Sequence, residues 1–281
     1  MSSIIKPSAS ENGGNPLSLQ NHGSEASGLE AGRPLTGAPT FVLVHGAWHG
    51  GWCYARVARI LRSRGYEVLT PTLTGLGERS HLASPTINAS THVQDILNVI
   101  AFEGLGDVVL VGHSYGGQII TAVADAVPEK IRSLVYLDAF IGENGKSIFD
   151  MDSATATAAY IDMAQSNGGH TVRPLSAAIF GVNSADQAWV DSRCTPGSLA
   201  TWSERLSLTG RHHQITNRTY VFATGWKGPF RPIYEQVRAQ GGWRTYEFDC
   251  GHDVMIDLPQ GTADVLEAAA GLPGRVEAGE A

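Results

Sequence analysis

The stretch VLVGHSYGGQII, residues 109–120, restricts this chain more than any other. A run of β-branched and apolar residues meets Gly112-His113-Ser114-Tyr115-Gly116 and passes into YGGQIITAVADAV (115–127), which has helical spacing. The first run reads as a strand buried on both faces, the second as a helix packed back onto it. A serine between the two must occupy a tight turn with strained backbone angles. Side chains at the flanking positions would collide there, and glycine removes them. The turn lifts the hydroxyl above the carboxyl edge of the sheet, at a helix N-terminus whose positive end favours developing negative charge. The G-x-S-x-G pattern is weak by itself and takes its meaning from this strand-turn-helix setting.

The same alternation runs along much of the chain. TFVLVH (40–45), YEVLTPTL (66–73), DVVLVG (107–112), IRSLVYLDAF (131–140), RTYVFATG (218–225) and RTYEFDCGH (244–252) read as strands. Helices are expected at 52–65, 91–104, 115–127, near 230–239 and around 260–270, with Ser90 or Thr91 as N-cap of the second. This order predicts an α/β fold: a mostly parallel sheet of about six strands, helices on both faces, right-handed crossovers. Between 141 and 216 the rhythm breaks into short helical pieces with no convincing strand. The expected organisation is a disordered leader (1–38), a core (39–140 and 217–272), a helical cap insertion (141–216) and a flexible tail (273–281).

A serine hydroxyl is a poor nucleophile until a base takes its proton. His252, in FDCGHDVM, follows the last expected strand, where a loop opens on the same sheet edge as Ser114. The base needs a partner to hold its tautomer. Asp138, at the end of LVYLDAF, is the foremost candidate; Glu143 and Asp253 are weaker ones. Acyl transfer also needs donors for the oxyanion. In HGAWHGGW (45–52), Gly46 lets the loop bend so that the Ala47 N–H points inward, and the Tyr115 N–H supplies the second donor. Trp48, Trp226 and Trp189 are expected to line the substrate site, whereas Trp52 fits core and pocket equally and His49 reads as structural. Phe180, Trp202 and Phe222 join Trp189 in suggesting an apolar, aromatic substrate.

Composition excludes several other classes. The 281 residues carry a net charge of −7 with no basic block, so nucleic acid is not an expected partner. Three widely spaced cysteines, Cys53, Cys194 and Cys250, fit neither a disulfide framework nor a zinc site, and favour the cytoplasm. No apolar run approaches the roughly 20 residues of a membrane helix. No HExxH is present, and the adjacent pair His212-His213 suits a shared metal poorly. No cofactor or metal is expected; the partner is a small-molecule substrate, and a homodimer is left open.

HGAWHGGW, GHSYGG, the position of the insertion and the terminal GHD together resemble the α/β-hydrolase superfamily over residues 40 to 270. Within it, the chain is similar to the small branch of hydroxynitrile lyases, plant methylesterases and bacterial esterases. FVLVHGAWHGGWCY, LTGLGERSHL and GHSYGG resemble the bacterial benzimidazole-carbamate hydrolases in particular. The resemblance implies a cofactor-free serine hydrolase acting on an ester, carbamate or amide through an acyl-enzyme. It also shows departures. The family's acid commonly follows the strand after the cap, where this chain has Gly225 and Trp226. Hydroxynitrile lyases of the branch carry Thr in place of Gly46, and a Lys in place of Asp253 to hold cyanide, which an acid would repel. A lyase or cofactor-free oxygenase using His252 as general base is the alternative. A ligand receptor on the same fold is a third reading, opposed by the presence of both Ser114 and His252.

Overall fold

The computed structural model describes residues 37–271. The expected leader, apart from its last two residues, and the expected tail lie outside the described residues. β1 (Thr40–Val44), α1 (Ala55–Ser63), β2 (Val68–Leu69), α2 (Ala89–Phe102), β3 (Val108–His113), α3 (Gly116–Ala126) and β4 (Ile131–Leu137) alternate along the chain. The chain then leaves the sheet for α4 (Ile148–Met151), α5 (Ala154–Gln165), β5 (Thr171–Val172), α6 (Gln187–Asp191), β6 (Gly197–Ser198) and α7 (Ala200–Ser203). It returns with β7 (Arg218–Ala223), α8 (Arg231–Gln240), β8 (Trp243–Phe248), α9 (Val254–Asp257) and α10 (Pro259–Ala269).

Six strands form one parallel sheet in the order β2-β1-β3-β4-β7-β8, with helices on both sides. All six residues of β3, at the centre, are buried, and its run Val108–Val111 is continuously apolar rather than alternating. At the β8 edge, Arg244 and Glu247 are exposed. Val57, Ala58 and Leu61 are the buried stripe of α1. Arg64, just past that helix, is ion-paired to Glu267 and, at 2.7 Å, to Asp264 on α10.

Several elements depart from expectation for local reasons. The N-cap of α2 is Asn88, two residues before Ser90: its side chain accepts the Thr91 N–H at 3.0 Å, and the Thr91 hydroxyl accepts the Asn88 N–H at 3.4 Å. Ser90 instead donates to Glu204 beside the insertion's α7, at 2.7 Å. β2 pairs only at Val68 and Leu69; Pro71, just beyond, has no N–H to offer a neighbour. β4 ends at Leu137 rather than 140, because Asp138 turns into the left-handed region with φ of 43°. The insertion, expected to have no strand, holds the short antiparallel pair β5–β6.

The register sets up everything that follows. Val44 lies opposite Gly112, His113 opposite Leu137, and Leu137 opposite Val221. The segments leaving β1, β3, β4 and β7 therefore start along one sheet edge.

Candidate active site

Ser114 leaves β3 with φ of 54°, a left-handed conformation rare for a residue with a side chain. Its N–H donates to Leu137 O, and its carbonyl accepts from the N–H groups of Gly117 and Phe140. α3 begins two residues later. A Cβ on Gly116 would stand 2.7 Å from the carbonyl oxygens of Val44 and His45, so only glycine allows the helix to start this close to β1.

His252 follows β8 and is nearly fully buried. Its Nδ1 lies 2.7 Å from Asp138 Oδ2. The carboxylate can only accept, so Nδ1 carries the proton and Nε2 keeps the lone pair a general base uses. Asp138 is fully buried, and its charge is met from three directions: by His252, by the Ala223 N–H on Oδ1 at 3.2 Å, and by the indole N–H of Trp226 on Oδ2 at 2.6 Å. Trp226 thus stands where the family's usual acid is missing, and it donates to the carboxylate of the candidate acid Asp138. Glu143 is turned elsewhere, ion-paired with Lys146 at 2.6 Å.

The loop after β1 approaches Ser114 closely. A Cβ on Gly46 would fall 2.9 Å from Ser114 Cβ and 2.8 Å from His113 Nδ1. His45 orients the next peptide. Its Nδ1 donates to Gly46 O at 2.8 Å, while its Nε2 accepts the Leu73 N–H at 3.0 Å. Burial lowers His45 to about 3, which keeps it in this neutral tautomer. The Gly46 carbonyl being turned toward the His45 ring, the Ala47 N–H of the same trans peptide points the opposite way. Neither the Ala47 N–H nor the Tyr115 N–H is taken up by a loop or turn hydrogen bond among the described residues. Trp48 follows with φ of 64°. Trp48, Ser114 and Asp138 are the only non-glycine residues with positive φ among those described, and each directly follows or lies near the end of a different strand.

A second cluster lies behind the loops. His49 Nδ1 is 2.8 Å from Ala47 O, and its Nε2 is 3.1 Å from Asp253 Oδ2. Asp253, a weaker candidate acid for His252, is thus engaged with His49. His113 Nε2 donates to the His252 carbonyl at 3.1 Å. Burial, reinforced by His252, holds His113 well below the ordinary histidine range, so it stays neutral. Donor atoms of His113, His252 and Asp253 lie within 4.8 Å of one another. In this arrangement all three side chains already serve hydrogen bonds, His113 with His252 O, His252 with Asp138 and Asp253 with His49.

The insertion closes over these groups. The His252 N–H donates to Phe180 O at 2.8 Å. The rings of Trp226, Phe230 and Phe180 surround His252 with centroids 4.3, 5.3 and 5.4 Å away. Trp48 reaches into the insertion: its indole donates to Val172 O at 3.1 Å, and its ring lies 5.3 Å from Trp202. Beside the Ala47–Tyr115 pair a cavity of about 200 Å³ opens, lined by Trp48, Trp202, Thr201, Ile87 and His92 among others. On its wall the Tyr115 hydroxyl donates to His92 Nδ1 at 2.9 Å, whose Nε2 donates to Thr74 O at 3.0 Å. Trp226 stands against His252 rather than on this wall. Trp189 does not line the cavity either; it packs edge-on against Trp52 with Arg56 and Arg193 over its ring. Phe222 also stands apart, stacked on Tyr234 of α8. His212, half of the adjacent histidine pair, is bound to Asp125 at 2.9 Å.

The roles of His45, Trp226 and the His49–Asp253 pair are not foreseen by the sequence reading. His45 had one available signal, its place directly before a glycine that the turn requires. The others join positions 88 and 204 residues apart, which no local pattern reports.

Comparison with known proteins agrees with this fold. A family model described as the alpha/beta hydrolase family matches residues 41–265. A carbendazim hydrolyzing esterase from Nocardioides sp. (strain SG-4G) is 44% identical over 237 residues, covering 81% of this chain and 98% of its own. Methylesterase 9 of Arabidopsis thaliana is 27% identical over 205 residues, 67% of this chain and 80% of that protein. Among solved structures, an extracellular alpha/beta-hydrolase from a Paenibacillus species superimposes with a TM-score of 0.73 at 26% identity, over 84% of this chain and 99% of that one.

Proposed function

This chain belongs to the alpha/beta hydrolase family and is an enzyme of its esterase kind, and we propose that it works through a Ser114 acyl-enzyme. Ser114 attacks the carbonyl carbon of a bound ester, carbamate or amide. His252 Nε2 takes the hydroxyl proton and returns it to the leaving group, and Asp138 stabilises the imidazolium that forms between those steps. The Ala47 and Tyr115 N–H groups receive the oxyanion. Water, deprotonated by His252, then frees Ser114. The observation that carries this reading is the 2.7 Å contact of His252 Nδ1 with the buried Asp138, which leaves Nε2 as the free base.

The substrate we propose is small and aromatic or apolar. Trp48 and Trp202 beside the cavity support this, as does the likeness to an esterase named for carbendazim. Cyanohydrin cleavage is disfavoured: Gly46 has no room for a hydroxyl-bearing side chain, and position 253 holds a carboxylate turned to His49 instead of a lysine that could hold cyanide. All three cysteines are unpaired, which supports placement in the cytoplasm. No helix among the described residues is long and apolar enough to cross a membrane.

The test is twofold. Ser114→Ala is expected to remove turnover of p-nitrophenyl esters, aryl carbamates and aryl amides alike while leaving the circular dichroism spectrum unchanged. An aryl phosphonate is expected to add its phosphoryl group to Ser114, seen by mass spectrometry. Persisting turnover in the variant, with no adduct in the parent, would move the chemistry to His252 acting alone as base.

A further inference from the structure

We propose that His49 and Asp253 are positioning residues, a buried ion pair that keeps the oxyanion loop and the loop of the catalytic base in register. The proposal rests on the hydrolase reading above. A carbonyl and a carboxylate can only accept, so the contacts of His49 with Ala47 O and Asp253 Oδ2 require both ring nitrogens to carry protons. The ring is therefore an imidazolium inside the protein. Burial by itself would lower His49, yet the Asp253 carboxylate overcomes it and holds the ring well above the ordinary histidine range. Burial would likewise raise Asp253, and His49 holds it below the usual carboxylate range.

The connections of the pair are specific. Ala47 O sits on the residue whose N–H is directed at the oxyanion, and Asp253 is the residue next to His252. Between Ala47 and His49 stands Trp48, in a backbone conformation that needs restraint. Three contacts supply it: His49 on Ala47 O, the Thr195 N–H on Trp48 O at 2.8 Å, and the Trp48 indole on Val172 O. Only the first also reaches the base. The groups facing His49 are Asp253, Cys194 Sγ at 4.0 Å, the His113 ring edge-on at 6.0 Å, and the rings of Trp52 and Phe180, with His45 close by and Cys53 beyond Asp253 and Cys194. Asp253 is the carboxylate among them. A pair serving stability alone could be replaced by apolar residues without loss; this one ties two catalytic loops.

The experiment uses Asp253→Asn, His49→Gln and the double variant of the full chain, on an ester the parent hydrolyses, between pH 6 and 10. Each single variant is expected to lower kcat about tenfold with KM within about twofold, the pattern of a misplaced oxyanion donor. The double variant is expected to be no worse than the poorer single one. The alkaline fall of kcat is expected to begin at lower pH in Asp253→Asn than in the parent. Phosphonate still labels Ser114 in the variants, more slowly, which separates this proposal from the reading it rests on. Ring ¹⁵N spectra of the parent are expected to show both His49 nitrogens protonated at pH 8, and this measurement decides the matter should the variants fail to fold. Folded variants with parental kcat and an unshifted alkaline limb, or a neutral His49 ring at pH 7, overturn the proposal.

Discussion

At the scale of single residues, the site depends on who meets the charge of Asp138. A buried carboxylate with an unmet lone pair is costly, and hydrogen bonds to charged groups are worth about 1.5–3 kcal/mol each. Trp226→Phe keeps the ring beside His252 but removes the 2.6 Å donor. It is expected to lower kcat about tenfold, measured on any ester the parent turns over, with the His252–Asp138 contact intact. Gly46 acts through space rather than charge. Gly46→Thr would drive a Cβ into Ser114 and His113, and is expected to cost about 100-fold or more in kcat/KM together with a lower melting temperature. Cyanohydrin-cleaving activity appearing in that variant would contradict the steric argument. The cramped turn at Ser114, with φ of 54°, was legible from residues 109–120 alone, because glycines bracket a serine between a buried strand and a helix. Asp138 came from elimination, since the expected position holds Gly225-Trp226. That Trp226 then serves Asp138 is a tertiary contact between neighbouring strands β4 and β7, invisible to any one segment.

At the scale of elements, strand and helix periodicity located all six sheet strands, and their ends were read less well than their centres. Ends are decided by single contacts: Asp138 turning out of β4, or Asn88 outcompeting Ser90 because Glu204 claims the latter. Asn88 does two jobs, capping α2 and donating through Nδ2 to Glu204 at 3.1 Å. Asn88→Ala is expected to cost about 1 kcal/mol, read as a melting temperature about 2–4 °C lower, with kcat unchanged. The insertion was legible as a break in rhythm filled by short helical pieces, which α5, α6 and α7 are. Its short pieces have no period of their own, and β5 and β6, two residues each, exist through pairing with one another.

At the scale of the whole molecule, the buried histidines set how stability varies with pH. His45 is lowered to about 3, and His92 and His113 are lowered also, by burial. In the unfolded chain each titrates near 6.5. Below that pH the unfolded state binds protons the folded state refuses, so stability falls as pH drops from about 6.5. His49 works in the opposite sense. Its folded value is raised against burial by Asp253, so its contribution is complete below about 6.5 and is lost as pH rises through the folded value. The melting temperature is therefore expected to peak near neutrality and decline on both sides. Asp253→Asn is expected to flatten the alkaline decline and to steepen the acid one, because burial then lowers His49 as it lowers the other three, as thermal scans from pH 4 to 10 would report. An alkaline limb identical in the two proteins would contradict this assignment.

The hydrogen bond from the His252 N–H to the Phe180 carbonyl has a consequence for anyone who would rebuild this protein. A Cβ on Gly251 would stand 2.3 Å from Gly181 O, so the two backbones are fitted to each other with no slack. Selectivity and turnover are accordingly not interchangeable parts. A chimera that borrows residues 141–216 from a relative with another diet is expected to seat the His252 imidazole differently and to lose rate on every substrate until that seat is restored.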